Sequence, residues 1–89
     1  MSVNVILPKW GLTMEDGMVV AWHVGEGDTV VEGDVIAEVE TEKVENDLEA
    51  PCAGVIARIL VDEDEIVDVG TVLAVIAADQ AEAAQIREG

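Results

Sequence analysis

Residues Glu38–Pro51 read EVETEKVENDLEAP and set one lysine, Lys43, among six carboxylates: Glu38, Glu40, Glu42, Glu45, Asp47 and Glu49. The chain holds only one other lysine, Lys9. A lysine in acidic company is ordinarily solvated surface with weak ion pairs. The competing reading is that the segment exists to present this amine. The scarcity of lysine favours the second reading, and so does the local pattern. VIAEVET enters as a strand and VENDLEA leaves as one, so a four-residue turn from Thr41 to Val44 has Glu42 and Lys43 at its centre.

The other residues able to do chemistry form no constellation. His23 follows Trp22 on a strand with no Asp, Ser or Cys partners in pattern, and reads as an edge or surface histidine. Cys52, beside Pro51, reads as a small buried or half-buried residue rather than a nucleophile. Trp10 and Trp22 read as packing residues. No Cys/His set has metal-ligand spacing, the acids lack a calcium-loop pattern, and GEGD (25–28) is a turn rather than a phosphate-binding loop. Without a cleft to gather them, the carboxylates do not support a hydrolase.

The elements that must position Lys43 are short apolar segments alternating with Gly/Asp/Glu turns. They are 3–7, 18–24, 28–31, 34–41, 44–50, 54–61, 65–68 and 71–78. Eight short strands at this spacing predict an all-β sandwich or barrel. Slid by 37 residues, GMVVAWHVGEGDTVVEGDVIAEVE (17–40) lies over GVIARILVDEDEIVDVGTVLAVIA (54–77) without a gap. Identities fall at Gly17/Gly54, Val24/Val61, Glu26/Glu63, Val30/Val67, Gly33/Gly70, Val35/Val72 and Ala37/Ala74. Two copies are too few for a solenoid and each is too small for its own core, so the repeat predicts one pseudo-twofold β structure. The equivalent of Lys43 in the second copy is Gln80, so the lysine belongs to one copy only. Strand alternation predicts Val35, Ala37 and Val39 on one face, with Ile36, Glu38 and Glu40 on the other. Residues 78–89 turn Ala/Glu/Gln-rich. The expected organisation is therefore a domain over 1–78 and a helical or flexible tail or linker over 79–89.

Composition sets the outer bounds. Eighty-nine residues allow one small core, and 51% of them are apolar, which excludes a disordered acidic tail. The absence of Phe and Tyr leaves a Val/Ile/Leu/Ala core, which favours sheet. A net charge of −16 argues against nucleic-acid and membrane partners and favours basic docking surfaces. The apolar runs are too short to span a bilayer, the first residues show no signal-peptide pattern, and a lone cysteine fits a reducing compartment. The expectation is a cytoplasmic protein.

ETEKVENDLEAPCAGVI resembles the lipoyl-attachment hairpin of the 2-oxo acid dehydrogenase complexes, whose pattern is E-T-D-K-A, a strand, then E-A-P and a Gly-containing turn. PKWGLTMEDG with the later EGD turn resembles the opening of the same domains, and the likeness runs from residue 3 to about 78. The wording PKWGLTMEDG…VVAW is similar to acyltransferase components of acetoin dehydrogenase complexes in particular. The resemblance implies a flattened barrel-sandwich hybrid of two four-stranded sheets, with both termini at one end and Lys43 at the other. It implies lipoic acid joined to the Lys43 amine, with Thr41, Glu42 and Val44 framing the site, and Trp10 within reach of the arm. Glu42 stands where Asp is commonest in the family, and Val44 where Ala is.

An ordinary lysine, with a pKa of about 10.4, is protonated at neutral pH, so attachment requires an activated donor from a lipoate ligase or transferase. The lipoyl arm is then expected to carry acyl groups and reducing equivalents between three components. These are a thiamine-diphosphate-dependent decarboxylase, an acyltransferase catalytic domain and dihydrolipoamide dehydrogenase. The domain itself contributes tethering rather than a general base or an oxyanion hole. Recognition by the decarboxylase is expected on loop 8–17 and the hairpin flanks, at Leu12, Met14, Glu15 and Glu45, with Glu42 also facing basic surfaces. The competing readings are a biotin carrier, whose sites usually read M-K-M, a hydrogen carrier of glycine cleavage, and an unmodified docking module.

Overall fold

The computed structural model describes residues 2–41 and 44–88. Eight strands follow in chain order: β1 Val3–Ile6, β2 Asp16–Trp22, β3 Thr29–Val30, β4 Val35–Glu40, β5 Glu45–Glu49, β6 Gly54–Ile59, β7 Ile66–Asp68 and β8 Val72–Ala77. A helix, α1, closes the chain at Gln80–Glu88. Each segment read as a strand from its apolar spacing is one. The largest difference is in β2, which starts at Asp16 rather than Met18. Its first residues pair with β7, Asp16 opposite Asp68 and Gly17 opposite Val67, and this extends the strand beyond its apolar run.

The strands form two antiparallel four-stranded sheets, ordered β1-β8-β6-β3 and β5-β4-β2-β7. Advancing every strand number by four, cyclically, converts one order into the other. The correspondence continues atom by atom at the 37-residue offset. Trp22 N–H donates to Glu63 Oε2 at 2.9 Å, and Ile59 N–H donates to Glu26 Oε2 at 3.0 Å. Gly27 N–H donates to the Ile56 carbonyl at 2.7 Å, and Asp64 N–H to the Val19 carbonyl at 2.6 Å. Gly27 has φ +94° and Asp64 has φ +70°, so a left-handed turn position filled by glycine in one copy is filled by aspartate in the other. The β2–β4 and β6–β8 ladders also share a register break, at Val19/Ala21 and at Ile56/Arg58.

The core repeats the same symmetry. The largest fully buried side chains are Leu7, Ile36, Ile56, Leu73, Ile76, Val19 and Val39. Val19/Ile56, Ile36/Leu73 and Val39/Ile76 are three symmetry-related pairs. Each such side chain contributes about 1.5–3 kcal/mol when taken out of water, and together they join the inner faces of the two sheets. The result is the flattened, all-β barrel-sandwich, 39 × 23 × 19 Å along its principal axes.

One expectation fails on β4. Ile36 is fully buried and Val35 is 40% exposed, the reverse of strict alternation. The β4–β5 register shifts between Val35 and Ala37, and this irregularity lets consecutive Ile36 and Ala37 both face inward. Beyond it Glu38, Val39 and Glu40 alternate as expected, so the end nearest Lys43 keeps its regular pleat.

Helix α1 lies against β6 and β8. Ala83 is fully buried, and with Val55, Ala57, Ala77, Val75 and Ile86 it makes a second, smaller apolar cluster. Asp79 Oδ1 accepts from Glu82 N–H at 2.8 Å and Glu82 Oε1 accepts from Ala78 N–H at 2.8 Å, a reciprocal cap at the helix start. Arg58 reaches across from β6 and donates through Nε and Nη2 to the Ile86 carbonyl at 3.0 and 2.7 Å.

Candidate functional site

The β4–β5 hairpin closes at Thr41 and Val44. The Thr41 N–H donates to the Val44 carbonyl at 2.9 Å, and Thr41 Oγ1 adds a second bond to the same oxygen at 3.1 Å. Glu42 and Lys43 are the two residues between them in sequence and lie outside the described residues. Below the closure, Glu40 stands opposite Glu45 and Glu38 opposite Asp47. Like charges set directly across a ladder oppose pairing, so this sheet face is negative at a cost to its own stability.

Beside the closure runs the β1–β2 connection. Leu7 and Ala50 are equivalent in the pseudo-twofold. Leu7 bonds Thr71 and Gly70 through its N–H and carbonyl, and Ala50 bonds Asp34 and Gly33 in the same way. Gly17 and Gly54 are equivalent as well. Ten residue steps separate Leu7 from Gly17, while four separate Ala50 from Gly54, so six extra residues are inserted at one corner of an otherwise duplicated structure. The insertion folds on itself: Met14 N–H donates to the Gly11 carbonyl at 3.2 Å, and Trp10 N–H points at Met14 Sδ at 3.4 Å.

Loop and hairpin together enclose an open groove of about 730 Å³. Trp10, Met14 and Glu15 line it from the loop, Thr41, Val44 and Asn46 from the hairpin, and Ile66 from β7. The structure therefore gathers Thr41, Val44, Met14 and Glu15 around one space. Leu12 is 95% exposed and, like Glu45, is not part of the lining. Asn46 and Ile66 were not apparent from sequence. Ile66 arrives through the β2–β7 pairing, where it stands opposite Met18. A comparison of the two repeats contains its signal, since Ile66 replaces Thr29 of the first copy. Asn46 is the one uncharged polar residue of an acidic strand, ENDLE, and its Nδ2 is buried without a hydrogen-bond partner.

The remaining candidates sit elsewhere. His23 Nε2 lies 3.1 Å from Glu38 Oε2 in an exposed pair on the sheet surface. Trp22 is half-buried against the core and donates from Nε1 to the Val61 carbonyl at 2.8 Å. Cys52 is half-buried against the same core. Trp10, by contrast, is 39% exposed and faces the groove rather than the core. Among the described residues no cluster of His, Cys, Asp and Glu is arranged to hold a metal ion, and no helix is long and apolar enough to cross a membrane.

This architecture is shared. A family model described as "Biotin-requiring enzyme", covering biotinyl and lipoyl domains, matches residues 3–76. The acetyltransferase component of the acetoin cleaving system of Pseudomonas putida is 44% identical over 83 residues, covering 93% of this chain and 22% of that protein. The acetyltransferase component of the pyruvate dehydrogenase complex of Zymomonas mobilis is 42% identical over 87 residues, covering 97% of this chain and 20% of that protein. The chain thus spans about a fifth of the length of these relatives. The lipoyl domain of the 2-oxoglutarate dehydrogenase complex of Azotobacter vinelandii superposes with a TM-score of 0.72 at 30% identity, covering 86% of this chain and 98% of that one. With the duplicated sheets, the hairpin closure and the adjoining loop in place, and with a free-standing lipoyl domain matched over nearly its whole length, the chain belongs to the biotinyl/lipoyl-attachment family as a lipoyl domain.

Proposed function

We propose that Lys43 is the attachment point for lipoic acid and that the domain carries the lipoyl group between the components of a 2-oxo acid or acetoin dehydrogenase complex. The observation that carries this reading is the broken symmetry. The hairpin closure and the six-residue insertion stand together at the one corner where the sequence has a lysine, while the equivalent corner, with Gln80, begins α1.

The residues around that corner fit an amide-linked apolar group. Trp10, Met14, Val44 and Ile66 supply apolar surface. When bound, the lipoyl group supplies a cyclic disulfide that accepts an acyl group and two electrons. The chain's own residues supply the mount. The paired Thr41–Val44 closure on a regular strand pair restricts where the arm is rooted, and tethering raises its local concentration at each partner site. The acids Glu38, Glu40, Glu45 and Asp47, with Glu15 on the loop, present negative charge to basic docking surfaces. The partners in this reading are a lipoate ligase or transferase, a thiamine-diphosphate-dependent decarboxylase, an acyltransferase catalytic domain and dihydrolipoamide dehydrogenase, all in the cytoplasm.

The test is the intact mass of the domain after incubation with lipoate, ATP and a lipoate ligase. The expected result is one lipoyl increment in the wild type and none in Lys43→Ala. An unmodified wild type under active ligase overturns the proposal. An increment with biotin and biotin ligase instead transfers the site to biotin carriage.

A further inference from the structure

We infer that the groove beside the hairpin is a resting berth for the oxidised lipoyl arm, so that the arm swings between a sheltered and a free state rather than moving freely at all times. This rests on the lipoyl reading of Lys43.

Two observations converge. First, the groove is rooted at the attachment point: Thr41 and Val44, the residues on either side of Glu42 and Lys43, both line it. A group joined to Lys43 is thus held at the groove by the chain itself and enters without a bimolecular step. Second, the apolar part of the lining suits the cargo, with the carboxylates of Glu15, Asp16 and Glu40 lining the same groove. Trp10, Val44 and Ile66 are 39%, 57% and 66% exposed, yet with half-buried Met14 they converge on one space instead of scattering over the surface. Single exposed apolar residues need no explanation, but a concave set of them does. The arm offers a short alkyl chain and a cyclic disulfide, and sulfur packs favourably against an aromatic ring such as Trp10. A volume of about 730 Å³ lies within the roughly 300–1,000 Å³ of small-molecule sites.

The berth predicts a difference between the two tryptophans. Uniformly ¹⁵N-labelled domain is prepared in three forms: unmodified, lipoylated and oxidised, and lipoylated and reduced. Intact mass verifies attachment to Lys43. The Trp10 indole and Asn46 carboxamide resonances are expected to move on oxidised lipoylation, and the Trp22 indole, outside the groove, to stay. Reduction by a water-soluble phosphine is expected to be slower in the wild type than in Trp10→Ala or Ile66→Ser. An arm docked nine-tenths of the time gives a difference of about tenfold. The Trp22 indole reports in each variant that the fold is kept.

If the mass increment is present but the Trp10 and Asn46 resonances do not move and all variants are reduced at one rate, the berth is overturned while the carrier function stands. If no lipoyl group attaches, the carrier reading falls and the berth falls with it.

Discussion

Gly17 and Gly54 are equivalent by the 37-residue repeat, and both sit where a strand passes close to its neighbour, but they are not equally replaceable. A Cβ on Gly54 would run into the carbonyl oxygen of Ala77, which is backbone, and would come within 2.6 Å of Ile76 Cγ2. A Cβ on Gly17 would meet Val39 Cγ1 at 2.9 Å, the end of a side chain that can turn away. Gly54→Ala must therefore shift the β6–β8 ladder, at a cost of about 1–3 kcal/mol or more, while Gly17→Ala costs distinctly less. Urea unfolding of the two variants checks this, and equal losses would show that the clash at Ala77 relaxes without strain. The sequence identifies both glycines through the repeat. It is silent on which of them faces backbone, because that depends on how the strands twist past one another. The same limit hid Asn46, whose buried amide is defined by neighbours rather than by its own identity.

At the scale of elements, the strands were legible because apolar residues recur with a period that the second copy repeats, so each segment is read twice. The places where reading failed are those where one copy does something alone or where pairing departs from regularity. Ile36 is buried through a register shift that no alternation rule anticipates. Helix α1 offers good helix formers, but its docking depends on Arg58, a residue far away in sequence. Nine residues are too few for a stable isolated helix. What holds α1 is Ala83 and Ile86 on the small apolar cluster, and the Arg58 guanidinium capping the Ile86 and Arg87 carbonyls. Arg58→Ala should remove about 1–3 kcal/mol from this docking, the worth of charge-assisted bonds. Hydrogen exchange should then speed up in the backbone amides of α1 while those of β2, β4 and β8 keep their protection. Uniformly faster exchange over both sheets would mean that the helix is part of the global folding unit rather than an appendage to it.

For the whole molecule, the fold is nearly symmetric while its proposed use is not. Duplication supplies the frame from a short repeated pattern, and the corner with the Thr41–Val44 closure, the inserted loop and the groove departs from that symmetry. The charge is the second global property. A net −16 on 89 residues is far beyond what solubility needs, and part of it stands in like-charged cross-strand pairs, Glu38/Asp47, Glu40/Glu45 and Asp16/Asp68. Repulsion of this kind works against the compact state, and salt screens it, the Debye length falling from about 30 Å at 0.01 M to about 3 Å at 1 M. The melting temperature should therefore rise with sodium chloride over that range. A gain of about 1 kcal/mol corresponds to roughly 4–8 °C for a domain of this size. Capture by a basic partner should respond in the opposite direction, slowing as the same charges are screened. A melting temperature that is flat or falls with salt would show that the acids are spaced widely enough, or paired well enough, to carry no net repulsion. The negative surface would then have no measurable cost to the fold that presents it.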